Sequence, residues 1–125
     1  MKEIIETSSA PSPIGPYAQA IRANGFIFLS GQIPLDPQTG TVVQGDIAVQ
    51  TRQVMQNVSA ILAAAGSGLT KIVKTTIFLI DLDDFAQLNR VYGEYLADVK
   101  PARATVQVAR LPKEVRVEIE VIALA

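Results

Sequence analysis

The segment Val115 to Ala123 alternates without a break: Val115, Val117, Ile119, Val121 and Ala123 fall on one side, Arg116, Glu118, Glu120 and Ile122 on the other. Successive side chains of an extended chain project to opposite faces, so this pattern buries one face as a strand, whereas a helix would scatter both sets around its circumference. The chain therefore needs a sheet with one covered face. Two segments offer the cover. Between Asp46 and Ala65, residues Ile47, Val54, Val58, Ile61, Leu62 and Ala65 share one helical face, with Gln50, Arg52, Gln53 and Gln56 mostly elsewhere; further on, Phe85, Leu88, Val91, Tyr92, Tyr95 and Leu96 recur at helical spacing. Two helices cover only one face of a sheet. Phe26 to Leu29, and Ile72 with Phe78 and Ile80, place apolar side chains on both, so the second face is expected to be buried by other copies of the chain.

The remaining elements follow from local signals. Ser8 to Pro16 holds three prolines and a glycine and reads as an extended loop. Tyr17 to Arg22 and Phe26 to Ser30 read as strands joined across Asn24-Gly25, a strong short hairpin signal. A turn is expected at Asp36 to Gly40, a helix stop at Gly66-Ser67-Gly68, and a strand over Ile72 to Ile80. Asp81 to Asp84 offers caps for the second helix, Pro101 closes it, and Ala102 to Val108 is a further strand. No repeat or linker divides the 125 residues, which read as a single domain, 1–125.

Composition narrows the chemistry. The chain has no His and no Cys, which removes thiol and imidazole catalysis and the usual zinc ligands. Its net charge of −1 provides no general field for a polyanion, so nucleic acid is a poor fit. The N-terminus has acidic residues and prolines where a secretory signal needs an apolar run of about 7–15 residues, and no stretch reaches the roughly 20 apolar residues of a membrane span. A cytoplasmic protein without a membrane partner is the expectation.

Arg103 follows Pro101-Ala102 at the start of a strand. It reads either as a structural arginine, paired with Glu118 or Glu120 or left in solvent, or as a two-point carboxylate ligand. Glu118 and Glu120 share a strand face, about 6–7 Å apart along the chain; a polar sheet face accounts for them as simply as an acid/base pair does. Ser30-Gly31 reads as a turn, or as a place where a ligand approaches backbone N–H groups. Tyr17 reads as a packed aromatic or a ligand contact, and Asn89 with Tyr92 as a cap, core or surface pair.

Taken together, Ile14-Gly15-Pro16-Tyr17, Ser30-Gly31-Gln32-Ile33-Pro34, Val73-Lys74-Thr75-Thr76 through Asp81-Leu82-Asp83-Asp84-Phe85, Asn89 with Tyr92, and Pro101-Ala102-Arg103-Ala104-Thr105-Val106 leading to Val117-Glu118-Ile119 resemble the RidA (YjgF-type) enamine/imine deaminases. The resemblance spans the chain in order. It implies an α+β, chorismate-mutase-like fold: a mixed six-stranded sheet with two helices on one face, assembled as a homotrimer with sites between subunits. It also implies hydrolysis of 2-enamine/2-imine acids (2-aminoacrylate/2-iminopropanoate, 2-iminobutanoate) to 2-keto acids and ammonia, with no metal or organic cofactor.

By the same resemblance, Arg103 grips the substrate carboxylate, and Glu118 holds and polarises the attacking water, kept ionised if Arg103 is near. Backbone groups at Gly31 and Thr105 bind the reacting centre, Tyr17 closes the pocket from across the subunit boundary, and Ser30 and Asn89 also contact substrate. Many relatives have Cys where this chain has Thr105. Two alternatives stand beside this reading: a non-catalytic protein sensing 2-keto acids, and a ribonuclease or translation inhibitor, a label some relatives carry.

Overall fold

The computed structural model describes residues 1–125. Six strands, β1 (Glu3–Ile5), β2 (Ala20–Ala23), β3 (Phe26–Gln32), β4 (Ile72–Leu79), β5 (Ala102–Gln107) and β6 (Val117–Leu124), join in the order β1-β2-β3-β6-β4-β5. All neighbours are antiparallel except β4 and β5, whose connection is carried by helix α2 (Phe85–Leu96). Helix α1 (Ile47–Ala64) links β3 to β4, and the last strand inserts between them.

The alternation of the final segment is realised in full: Val115, Val117, Ile119, Val121 and Ala123 are all buried beneath the helices. Helix α1 starts where Asp46 Oδ1 accepts the Val49 N–H at 3.0 Å. It ends in a Schellman arrangement, with the Ser67 N–H donating to Leu62 O, the Gly66 N–H donating to Ala63 O, and Gly66 in the left-handed region at φ +75°. Asn24 and Gly25 both take positive φ in the β2–β3 hairpin, as a type I′ turn requires.

Cross-strand register sorts the side chains into two faces. Ile5, Ala20, Leu29, Val121, Thr75 and Arg103 form one row across all six strands on the helix side; the first five are buried, and Arg103 ends the row at the sheet edge. The adjoining row of Ile4, Ile21, Phe28, Ile122, Lys74 and Ala102 lies on the opposite face, which no element of the chain covers. Ile4, Phe26, Phe28, Val106 and Leu124 are exposed there, an apolar surface unusual for a protein that acts alone.

Several boundaries differ from the sequence reading. Strand β2 begins at Ala20, leaving Tyr17 in the loop, because the Gln19 side chain bonds that loop's backbone. Ser30-Gly31 is no turn: β3 runs through it to Gln32, with a bulge between Leu29 and Gln32 against β6. Phe85, placed on the core face by its spacing, is 37% exposed at the first turn of α2. Gln50, placed off the buried face, is buried because its amide bridges Val43 O and the Arg116 N–H. No helix is long and apolar enough to cross a membrane.

Candidate functional site

The residues singled out in the sequence divide between two clefts. The first, of about 540 Å³, gathers Tyr17, Ser30, Gly31 and Glu118, with Ile14 and Lys113 on its walls. Its floor is set by the bulge in β3, which lays the Gly31 backbone against the Glu118 carboxylate. A methyl group built on Gly31 would fall 2.8 Å from Glu118 Cδ and closer still to Oε2, so only glycine admits the carboxylate here. The Ser30 hydroxyl donates to Ala18 O at 2.6 Å, which leaves it able to accept from a ligand but not to donate.

Tyr17 is brought to this cleft by the proline-rich loop. Its hydroxyl oxygen accepts the Ile14 N–H at 3.3 Å, and its own proton stays free to donate. The loop is tied down by Gln19, whose buried amide accepts the Thr7 N–H and donates to Thr7 O and Pro11 O at 2.7, 3.0 and 2.8 Å. Gln19 went unnoticed in the sequence, where one amide in a short apolar run gives no signal.

Glu118 titrates upward. Half-buried, its carboxylate loses hydration, and Glu120 on the same strand face adds like-charge repulsion; both favour the protonated form. The ionised form expected of Glu118 supposes that Arg103 lies beside it. Within one chain the two cannot meet: Glu118 pairs with Phe78 on the uncovered face, whereas Arg103 pairs with Thr75 on the helix face. Neither structural reading of Arg103 holds either, for it pairs with neither Glu118 nor Glu120 and does not wave free.

Arg103 belongs to the second cleft, of about 410 Å³, with Asn89, Tyr92 and Pro101. Its Nη1 donates to Asn89 Oδ1 at 2.6 Å, and its guanidinium carbon lies 5.0 Å from the Tyr92 ring centroid and 5.3 Å from that of Phe85. The ion pairs in the chain are Arg22–Glu3, Arg52–Glu94 and Arg116–Asp84. Arg103 is thus oriented by a neutral acceptor and two aromatic faces, with most of its donors uncommitted. Thr105, two residues on, has a buried hydroxyl without a hydrogen-bond partner. No three His, Cys, Asp or Glu side chains gather as a metal site would need.

A mixed six-stranded sheet with two helices on one face, a carboxylate packed on a glycine, and an arginine without an acid partner define an α+β protein of the YjgF/Rid fold. The chain belongs to the Rid family, whose sequence profile, described as endoribonuclease L-PSP, matches residues 7–125. It is 58% identical over 123 residues to a RutC family protein of Pyrococcus horikoshii, covering 98% of both chains. It is 44% identical over 124 residues to the human 2-iminobutanoate/2-iminopropanoate deaminase, covering 99% of this chain and 90% of that one. A crystal structure of a Rid family protein of unknown function from Yersinia pestis superposes with a TM-score of 0.97 at 52% identity, over the full length of both. The family thus includes imine deaminases.

Proposed function

We propose that this protein hydrolyses 2-imino acids and their enamine tautomers to 2-keto acids and ammonia, at a site completed when the Arg103 cleft of one copy meets the Glu118 cleft of another. The observation that carries the reading is Arg103 itself: a guanidinium held in place with no acid partner, in a chain with twelve Asp and Glu. Its parallel donors fit the two oxygens of a substrate carboxylate. The deaminase name of the human relative supports the same reaction class, and a homotrimer that covers the apolar sheet face would bring the clefts together.

In this mechanism Arg103 fixes the carboxylate and thereby the C=N carbon next to it. Water adds to the carbon of the protonated C=NH2+ group and passes a proton to Glu118, giving a neutral carbinolamine. Glu118 returns that proton to the amine nitrogen; the C–N bond then breaks with its electron pair leaving on ammonia, and as the carbonyl forms the hydroxyl gives its proton to the Glu118 carboxylate, which releases it to solvent. Desolvation makes the Glu118 carboxylate a better base for the first step, and an Arg103 brought beside it by assembly would favour its return to the ionised form after the second. The Gly31 backbone and the Thr105 region would hold the reacting centre, Tyr17 would close the pocket, and Asn89 would keep Arg103 aimed. No step calls on a metal, an organic cofactor or histidine.

The test couples the protein to a threonine dehydratase and traps 2-iminobutanoate with semicarbazide. Wild-type protein is expected to lower the trapped imine, and Arg103→Ala is expected not to. Unchanged trapping with wild-type protein overturns the enzymatic reading. Binding of 2-keto acids without faster imine decay would establish the sensing alternative. RNA cleavage that co-purifies with the protein and vanishes in Arg103→Ala would establish the nuclease named in the family's description.

A further inference from the structure

The guanidinium of Arg103 sits on an exposed edge strand, where a long side chain ordinarily samples many rotamers. What restrains it lies on α2. Phe85, Asn89 and Tyr92 are spaced four and three residues apart and so share one helix face. All three meet Arg103: the two rings at 5.3 and 5.0 Å, and the Asn89 oxygen at 2.6 Å. Tyr92 is itself fixed from below. Its hydroxyl is 2.8 Å from that of Thr75, and Thr75 is the residue of β4 in register with Arg103 on β5. The ring against the arginine is therefore anchored to the strand neighbouring the arginine's own.

From this juxtaposition we infer that Phe85 and Tyr92, the latter locked by Thr75, are positioning residues that pre-orient Arg103 for the substrate carboxylate. The inference rests on the reading of Arg103 as carboxylate anchor. Aromatic faces attract the guanidinium without occupying its in-plane N–H donors, which an acidic neighbour would consume. Tyr92 is 7% exposed and also serves the core, whereas Phe85 is 37% exposed and contributes little to it. Phe85 is thus the place where orientation separates from folding.

The experiment is a double-mutant cycle on the full-length assembled protein, with 2-oxobutanoate as the binding probe and 2-iminobutanoate turnover as the kinetic one. Phe85→Leu is expected to raise the 2-oxobutanoate Kd and the KM about five- to tenfold, with kcat and Tm nearly unchanged. Phe85→Trp, which restores an aromatic face, should recover most of the affinity. In an Arg103→Ala background, Phe85→Leu should add nothing, because the group it orients is gone. Thr75→Val should weaken binding less than Phe85→Leu.

The inference is overturned if Phe85→Leu leaves Kd unchanged in the Arg103 protein, or if it weakens binding equally in both backgrounds. If Arg103→Ala itself leaves Kd and KM unchanged, the anchor reading fails and takes this one with it. That outcome is distinct from an anchor that works without its aromatic neighbours.

Discussion

The two clefts divide the chemistry between opposite surfaces of one sheet. On the uncovered face, Glu118 is packed on Gly31, stripped of part of its hydration and pushed towards protonation. On the helix side of the open edge, Arg103 is accessible and held only by a neutral amide oxygen and aromatic rings. One environment tunes a proton acceptor by desolvation; the other preserves a cation by denying it an acid partner. Under the proposed function these two clefts are half-sites of one centre, to be joined across surfaces that a single chain leaves exposed, among them the row that includes Phe28 and Ile122.

Breaking the proton-transfer half should have the largest effect. Glu118→Gln keeps the shape and removes the base, so single-turnover kinetics should show kcat lower by about 10²–10⁴ with KM little changed. Breaking the anchor should act mainly on substrate affinity: Arg103→Ala is expected to lower kcat/KM about a hundredfold or more through KM. Arg103→Lys should recover little of it, since an ammonium cannot present two parallel donors. Gly31→Ala sharpens the contrast further. Its methyl would displace the Glu118 carboxylate, so kcat should fall while 2-oxobutanoate still protects the protein in thermal melts through Arg103, and stability should change little because only the end of a flexible side chain has to move.

The smallest effect concerns pH. Because the folded-state pKa of Glu118 lies above its ordinary 4.5, the folded chain binds the proton more tightly than the unfolded one. The associated stability is present below that ordinary value and is lost as pH rises through the folded one. Denaturant melts across mildly acidic pH should therefore show a decline in wild type that is reduced in Glu118→Gln. The acid limb of the kcat profile should likewise sit above 4.5, the rate falling as pH drops and the base takes up its proton.

Much of the fold was legible because its signals are local. Alternation in β6 located the core face, Asn24-Gly25 the hairpin, Asp46 and Gly66 the ends of α1. Signals that depended on distant partners were misread. Gln50 resembled a surface residue until Val43 O and the Arg116 N–H came to it from other elements. Gly31 resembled a turn because nothing local announces a Glu118 carboxylate arriving from another strand.

The candidate residues were nameable from their resemblance to a family pattern, which also sets Tyr17 across a subunit boundary, but that Ser30, Gly31 and Glu118 share the Tyr17 cleft and not that of Arg103 was not. That depends on the parallel register of β5 on β4, which sets Arg103 beside Thr75 rather than on the face of Glu118. Phe85 had its signal in plain view, four residues before Asn89 and seven before Tyr92. Helical spacing says which residues share a face, not whether a core or an arginine meets it.

The most direct test of a site shared between copies is complementation by subunit mixing. Arg103→Ala and Glu118→Gln, each strongly impaired alone at substrate concentrations below the wild-type KM, are unfolded together in equal amounts, refolded and assayed there for 2-iminobutanoate turnover. Random reassembly should restore about a quarter of wild-type activity, because that fraction of junctions pairs an intact Arg103 cleft with an intact Glu118 cleft. Mixed assemblies that form and stay inactive would contradict the account.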